Sequence, residues 1–244
     1  MKVAVLNASS DCYNLACDKI RAWHLRAGDE VQETLAPMVD EVDKAYFSVI
    51  FTWDIPAMVD QVLYLKAARP QAEIEVGGPA ATFMAPHIEA MTGITPHRGL
   101  DSRFEYQEMK DRPFQLTFTS RGCPHACDFC GVKRVEPMFI VLDNFTPAPM
   151  VGDNNILGTS WSHQKRVVAR FLEWGKEVDL NSGFDVRYFQ PQHYKLYSQL
   201  RLQCWRFAFD TMEVEKDVHR VARLMRRHGL DRHQVTFYVL YGFP

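Results

Sequence analysis

The stretch Phe114-Gln115-Leu116-Thr117-Phe118-Thr119-Ser120-Arg121-Gly122-Cys123-Pro124-His125-Ala126-Cys127-Asp128-Phe129-Cys130 decides how the rest of the chain is read. An apolar, strand-like run over 114–119 feeds directly into three cysteines spaced C-x3-C-x2-C. A loop this short can present three thiolates to one face of an iron–sulfur cluster, whereas an ordinary [4Fe–4S] site takes four cysteines, one per iron. The next cysteine downstream is Cys204. Three ligands on four irons leave one iron with an open position, which chemistry needs and a purely structural site avoids.

Other readings of the cysteines fit less well. Zinc sites favour four N or S ligands in separated pairs, and His125, inside the first spacing, is badly placed to close a tetrahedron. A disulfide framework is a feature of small secreted domains, and no secretory signal precedes the first strand, so a reducing, cytoplasmic location is expected. Cys12, Cys17 and Cys204 are expected as small buried apolar residues. Cys12 and Cys17 are too few to support a second cluster.

Outward from the loop, strand and helix patterns alternate. In the N-terminal half, strands are expected at Lys2–Asn7, Val31–Leu35, Ala45–Thr52 and Glu73–Val76. Helices are expected from about Leu15 to Ala27, and from Pro56 to about Ala68. Gly77-Gly78-Pro79 is expected as a sharp turn. The alternation argues an α/β, doubly wound domain, whose ligands lie beyond the carboxyl ends of its strands, around Asn7–Asp11, Thr52–Asp54 and Gly77–Pro79. Residues 1–95 form this domain, and 96–112, polar and irregular, form a linker.

From 113 to 244, five strands are expected: Phe114–Thr119, Met150–Gly152, Val178–Leu180, Trp205–Phe209 and Val235–Leu240. Helices are expected near Ser162–Gly175, Gln192–Leu200 and Lys216–His228, the first capped by Ser160 or Ser162. Repeated βα units make a barrel or part-barrel, with its chemistry at the C-terminal ends of the strands. Each strand ends in a polar or glycine-containing cluster: Asp153-Asn154-Asn155, Gly183-Phe184-Asp185-Val186-Arg187, Asp210-Thr211 and Tyr241-Gly242-Phe243-Pro244. Asp185 is also a candidate structural partner for Arg187 or Arg206.

The cysteine spacing, with an aromatic before the last cysteine, resembles the radical S-adenosylmethionine enzymes. Ser120-Arg121-Gly122-Cys123-Pro124 resembles the branch with an N-terminal cobalamin-binding-like domain, and also the methylthiotransferases. The resemblance implies a Rossmann-like domain followed by a partial (β/α) barrel. It implies a [4Fe–4S] cluster on Cys123, Cys127 and Cys130, reductive cleavage of S-adenosylmethionine to a 5′-deoxyadenosyl radical, and a flavodoxin- or ferredoxin-like electron donor. Cofactor contacts carried over with it are Phe129 beside the cluster and adenine, and Asp153, Asn154 and Asn155 toward the methionine end. Arg187 would face the carboxylate, Asp210 the ribose, and Gly242 the adenine. The Gly77-Gly78-Pro79 turn is the matching part of the first domain. The cobalamin signature Asp-x-His-x-x-Gly is missing, because Asn7–Tyr13 holds no histidine and His24 falls on a helix. Cobalamin binding would have to do without that ligand.

Composition sets the outer bounds. A net charge of −2 draws the chain neither to nucleic acid nor to an anionic membrane. No run approaches the roughly 18 apolar residues of a membrane span. The arginines Arg220, Arg223, Arg226 and Arg227 oppose an apolar stripe of Val218, Val221, Leu224 and Met225, the pattern of a solvated helix face. Five strands fall one short of the family's six, so the chain is expected to be a fragment or to complete its barrel with a partner chain. The substrate-shaping part is the part not seen. Methylation or methylthiolation of a small molecule, protein or RNA is the reaction range. An electron-transfer protein with a fourth ligand, or a catalytically silent binding module, are the competing classes.

Overall fold

The computed structural model describes residues 1–9, 12–34, 41–104 and 112–242. It is a mixed α/β structure with parallel sheets, dividing into two units, Met1–Phe114 and Gln115–Pro244.

The first unit is built on four parallel strands, β1 (Lys2–Asn7), β2 (Glu30–Gln32), β3 (Lys44–Ser48) and β4 (Glu73–Gly77), in the order β2-β1-β3-β4. Alternate strand residues face opposite ways, and each face meets helices. Val3, Val5 and Tyr46 pack with Cys17 and Ile20 of α1 (Leu15–Arg26) and with Phe104. Ala4, Leu6, Ala45 and Phe47 pack with Met58, Val62 and Leu65 of α2 (Ile55–Ala68). Ala80 and Ala81 of α3 (Pro79–Phe83) and Ile88 of α4 (Ala85–Thr92) complete that second face. Burying each such aliphatic side chain contributes about 1.5–3 kcal/mol, so this two-sided core carries the unit.

The strand ends are tied together. Asn14 caps α1 by accepting from the Ala16 N–H, while its amide donates to Asn7 Oδ1 at 3.1 Å and Ser48 Oγ at 3.0 Å. Ser9 Oγ accepts from the Ile50 N–H at 2.9 Å, and the Val49 N–H donates to Gly77 O at 3.0 Å. Three expectations change here. β3 stops at Ser48, its ladder to β4 ending in the Val49 N–H to Gly77 O bond, and is followed by a 3-10 turn, Thr52–Asp54. Pro79 opens a short helix rather than completing a turn, since proline suits the first helical turn. Residues 96–104 pack on this unit: the His97 N–H bonds Val76 O, Arg103 pairs with Glu75, and Phe104 is buried against Tyr46 and Trp23. Leu35, the expected end of a strand, and Ser10 and Asp11 of the expected crevice lie outside the described residues, as do 105–111 of the expected linker.

In the second unit, β5 (Leu116–Thr117) runs on to β6 (Ser120–Arg121), the cysteine loop, α5 (Val132–Val135) and β7 (Ile140–Val141). Then come β8 (Met150–Val151), α6 (Trp161–Trp174), β9 (Asp179–Leu180), α7 (Pro191–Tyr197), β10 (Trp205–Phe209), α8 (Glu215–Arg227) and β11 (Val235–Val239). Strands β5, β8 and β9 form a parallel sheet in chain order, and β10 and β11 form a parallel pair. Between the two, the parallel bridges Val178↔Leu202 and Phe184↔Phe207 carry the succession on. The expected strands are therefore present, Trp205–Phe209 with its expected bounds and the other four shorter, with bridges where ladders were anticipated.

The core under these strands is aromatic. Phe184 lies 4.8 Å from Tyr197, 5.6 Å from Trp205 and 5.8 Å from Phe207, ring to ring, with Phe189 alongside. Val167, Val168 and Phe171 of α6, and Val218, Val221 and Met225 of α8, are buried against it. Arg220 departs from the expected solvated face: its guanidinium donates to the carbonyls of Val186 and Phe189 and pairs with Asp217. Arg223, Arg226 and Arg227 are exposed.

Candidate functional site

The cysteine loop begins where β6 pairs with β7, Ser120 opposite Val141 and Arg121 opposite Ile140. At Gly122 the backbone takes φ +72°, and a Cβ there would stand 2.2 Å from Met138 O. Only glycine fits, so the loop's turn is set one residue before Cys123. The Gly122 N–H donates to Glu136, whose buried carboxylate also pairs with Arg121 Nη1 at 3.0 Å and accepts from Asn154 Nδ2 at 2.8 Å. The Arg121 guanidinium lies 3.6 Å above the Phe118 ring. A buried carboxylate and a buried guanidinium are thus each other's counter-charge beside the loop.

Asp153 holds the strand before the loop. It is 3% exposed, and its oxygens accept from the Thr119 N–H at 2.6 Å, the Thr119 hydroxyl and, at 2.8 Å, the Ser120 hydroxyl. Burial pushes its carboxyl pKa up, with those hydrogen bonds opposing. The group expected to face the cofactor is instead taken up by the loop's own stem. On its other side, the Thr119 hydroxyl meets His163 Nε2 at 3.1 Å.

The thiols meet a second polar group. All six cysteines are free; Cys123 and Cys127 are half-buried and Cys130 is exposed. Asn155 Nδ2 donates to Cys123 Sγ at 3.8 Å and to Asp185 Oδ2 at 3.0 Å. Its Oδ1 accepts from the Gly158 N–H at 3.1 Å, which fixes the amide's orientation. Gly158 stands so close to Pro124 that an added Cβ would fall 2.8 Å from Pro124 Cγ, so the Asn155 turn seats directly against the loop. Asp185 pairs with Arg187: Oδ1 accepts from Nε at 2.8 Å and from the Arg187 N–H at 3.0 Å, and Oδ2 from Nη2 at 2.7 Å. The Arg187 guanidinium is also near enough to the Cys127 sulfur to interact with it electrostatically. His125 Nε2 sits 3.3 Å from Asp185 Oδ2, too poorly aimed for a hydrogen bond, and its ring stacks on Tyr188 at 5.4 Å. Burial pushes the Asp185 carboxyl up, but Arg187 and Asn155 outweigh it and hold it below the usual carboxylate range. Burial raises the carboxyl of Asp210, against the pull of Arg187 and with the push of Asp185, the two charges it feels most.

The structure therefore joins Cys123, Asn155, Asp185 and Arg187 by hydrogen bonds, with Cys127 and Asp210 within the electrostatic reach of Arg187, and links Asn154 to the loop through Glu136. Phe129 is half-buried in the loop. Gly242 is exposed, with open space where a Cβ would stand, and Phe243 and Pro244 lie outside the described residues. Arg206 is not Asp185's partner. It makes a two-pronged pair with Asp179, at 2.7 and 2.8 Å, and donates to Tyr238 OH, tying β9, β10 and β11.

Glu136 and the loop-side role of Asn155 escaped the sequence reading. Glu136 lies in the stretch 131–149, which has no periodicity to flag it. Its one signal is a lone acid inside the apolar run Val135–Phe139. Of the other cysteines, Cys17 is buried, its thiol pKa pushed up to about 12 by burial, while Cys12 and Cys204 are half-buried. His24 is buried in the first unit, 2.7 Å from Asp29 Oδ2 and 3.1 Å from Tyr46 OH, so both its ring nitrogens are engaged.

Among the described residues, no three His, Cys, Asp or Glu side chains gather tightly enough to hold a single metal ion. The loop's donor set is three free thiols, with an amide N–H at Cys123 and the Arg187 charge near Cys127, which in chemistry suits the sulfur ligation of cluster iron. No helix among the described residues is long and apolar enough to cross a membrane. No protein-family model and no curated protein matches this chain.

Proposed function

We propose that the chain is a radical S-adenosylmethionine enzyme, its N-terminal unit Rossmann-like and doubly wound, its second unit a partial (β/α) barrel. The observation that carries this reading is the meeting of the three-cysteine loop with the polar ends of successive parallel strands, through Asn155, Asp185 and Arg187. Ligand chemistry in barrels of this kind sits at those strand ends.

Cys123, Cys127 and Cys130 would hold a [4Fe–4S] cluster. When bound, the cluster supplies one electron to the sulfonium of S-adenosylmethionine, yielding methionine and a 5′-deoxyadenosyl radical. The chain's own residues orient and enclose. Glu136 and Asp153 fix the loop's entry, so the thiols are presented from a rigid stem. Asn154, Asn155 and Asp210 offer amide and carboxylate groups to the cofactor's amino, carboxylate and ribose groups. Phe129 offers a ring face. An electron donor of the flavodoxin or ferredoxin kind and a cytoplasmic location belong to the same reading. The substrate class stays open between small molecule, protein and RNA, and cobalamin has no histidine ligand in the expected place.

The test is anaerobic reconstitution with iron and sulfide, followed by electron paramagnetic resonance of the reduced protein. A [4Fe–4S]⁺ signal that changes shape with S-adenosylmethionine, and release of 5′-deoxyadenosine, are expected. Cys127→Ala should abolish the brown chromophore. A signal indifferent to S-adenosylmethionine would assign the chain to electron transfer or a silent module, and stoichiometric zinc in place of a cluster would overturn the reading.

A further inference from the structure

The three thiols are unequally supported. Cys123 receives the Asn155 amide and Cys127 feels the Arg187 charge, whereas Cys130 is exposed, its backbone N–H donating to Cys127 O at 2.9 Å. Neither donor is free to wander. Asn155 is oriented by Gly158 on one side and Asp185 on the other, and Arg187 is held at Nε and Nη2 by the same carboxylate. Arg187's segment is gripped from behind, where Arg220 bonds the carbonyls of Val186 and Phe189. One carboxylate thus orients an N–H donor toward one sulfur and holds a positive charge near another.

Hydrogen bonds to a cluster's sulfur ligands, and positive charge beside them, favour its more negative, reduced state and raise its reduction potential. We propose that Asn155 and Arg187, aimed by Asp185, are positioning residues that set the potential of the cluster through Cys123 and Cys127. Cys130 marks the side left without such support. The inference rests on the cluster reading above. It also gives Arg187 work to do before any cofactor binds.

The experiment measures the midpoint potential of the reconstituted full chain by redox titration without S-adenosylmethionine, so that cofactor binding cannot contribute. Arg187→Gln removes charge and donor reach, and Asn155→Ser removes the amide donor. Arg223→Gln removes an equal charge from an exposed helix position. Arg187→Gln is expected to lower the reduced-to-oxidised ratio at the wild-type midpoint about tenfold, a shift of about 59 mV for one electron. Asn155→Ser should move the same way by less, and Arg223→Gln should match wild type. Loaded variants at the wild-type potential would overturn this inference and leave the cluster reading standing. A wild-type chain that takes up no cluster would overturn both. Should Arg187→Gln fail to accumulate as folded protein, Asn155→Ser decides by the same criterion.

Discussion

The two units use the same vocabulary of parallel strands and crossing helices over apolar cores, yet they tie their strands together differently. In the first, β1 pairs with β3, and β3 with β4, over five residues each, and the faces are filled by aliphatic side chains. In the second, β5, β8 and β9 share two-residue ladders, and buried side-chain polar groups make up the difference. Asp153 ties β8's end to Thr119 and Ser120, Glu136 ties the loop's entry to Arg121, and Arg206 ties β9 to β10 and β11. Backbone ladders stabilise but cannot present chemistry, because their polar groups are consumed by one another. Side-chain ties hold shorter strands and leave the strand ends open for a site.

The comparison breaks first at Glu136. Its removal takes the carboxylate partner away from the buried Arg121 guanidinium, the Gly122 N–H and the Asn154 amide, so Glu136→Ala should destabilise the second unit by about 3–5 kcal/mol. Hydrogen exchange resolved by unit is the measurement; a loss under 1 kcal/mol would mean water replaces the carboxylate easily. In the first unit, the equivalent weight lies in apolar contacts. Leu65→Ala, at a fully buried position of α2, should cost about 2–5 kcal/mol, confined to residues 1–114. Charge removal there should matter least. Arg103→Ala breaks exposed pairs with Glu75 and Asp101 and should cost about 1 kcal/mol or less in urea unfolding.

Acid sharpens the contrast, because Glu75 and Asp101 of the first unit titrate with opposite sign to Asp153 of the second. Burial pushes Glu75 and Asp101 up, but Arg103, with Lys44 at Glu75, holds both below their ordinary values. Their contribution is present above the ordinary carboxylate range, about pH 4, and is lost as pH falls through the depressed folded values. Asp153 is raised, so its folded form keeps a proton that the unfolded chain gives up. Its contribution is fullest below the ordinary range and declines as pH rises to the raised value. Amide protection in the first unit should fall on acidification, and Arg103→Ala should flatten that fall. Asp153→Asn should remove the opposite slope in the second. Parallel slopes in both units would show that neither assignment dominates.

What could be read beforehand follows the same division. The first unit's strands and its two long helices were legible because buried apolar runs and helix-ending residues are local signals, as at Lys2–Asn7 and around Pro56. α3 and α4 were missed, since Pro79 and Pro86 look like breakers until they are seen in first turns. In the second unit, the cysteines and the polar strand ends stood out by spacing and order. The stretch 131–149 did not, because a short helix and a two-residue strand carry no period. Asp153 was noticed but given an outward role: its identity is local information, and its partners Thr119 and Ser120 lie more than thirty residues away. The same holds for Asn155, whose neighbour Cys123 is distant in sequence and adjacent in space.

Arg220 turns four similar letters into one informative one. Arg223, Arg226 and Arg227 are interchangeable with any hydrophilic residue as far as α8 is concerned, whereas Arg220 closes two carbonyls that bracket Arg187. A helix remote in the chain from the cysteines thereby acts as a backstop. A mutational scan of α8 would return a nearly silent surface interrupted at a single position, and that position would report on the cysteine loop rather than on the helix that carries it.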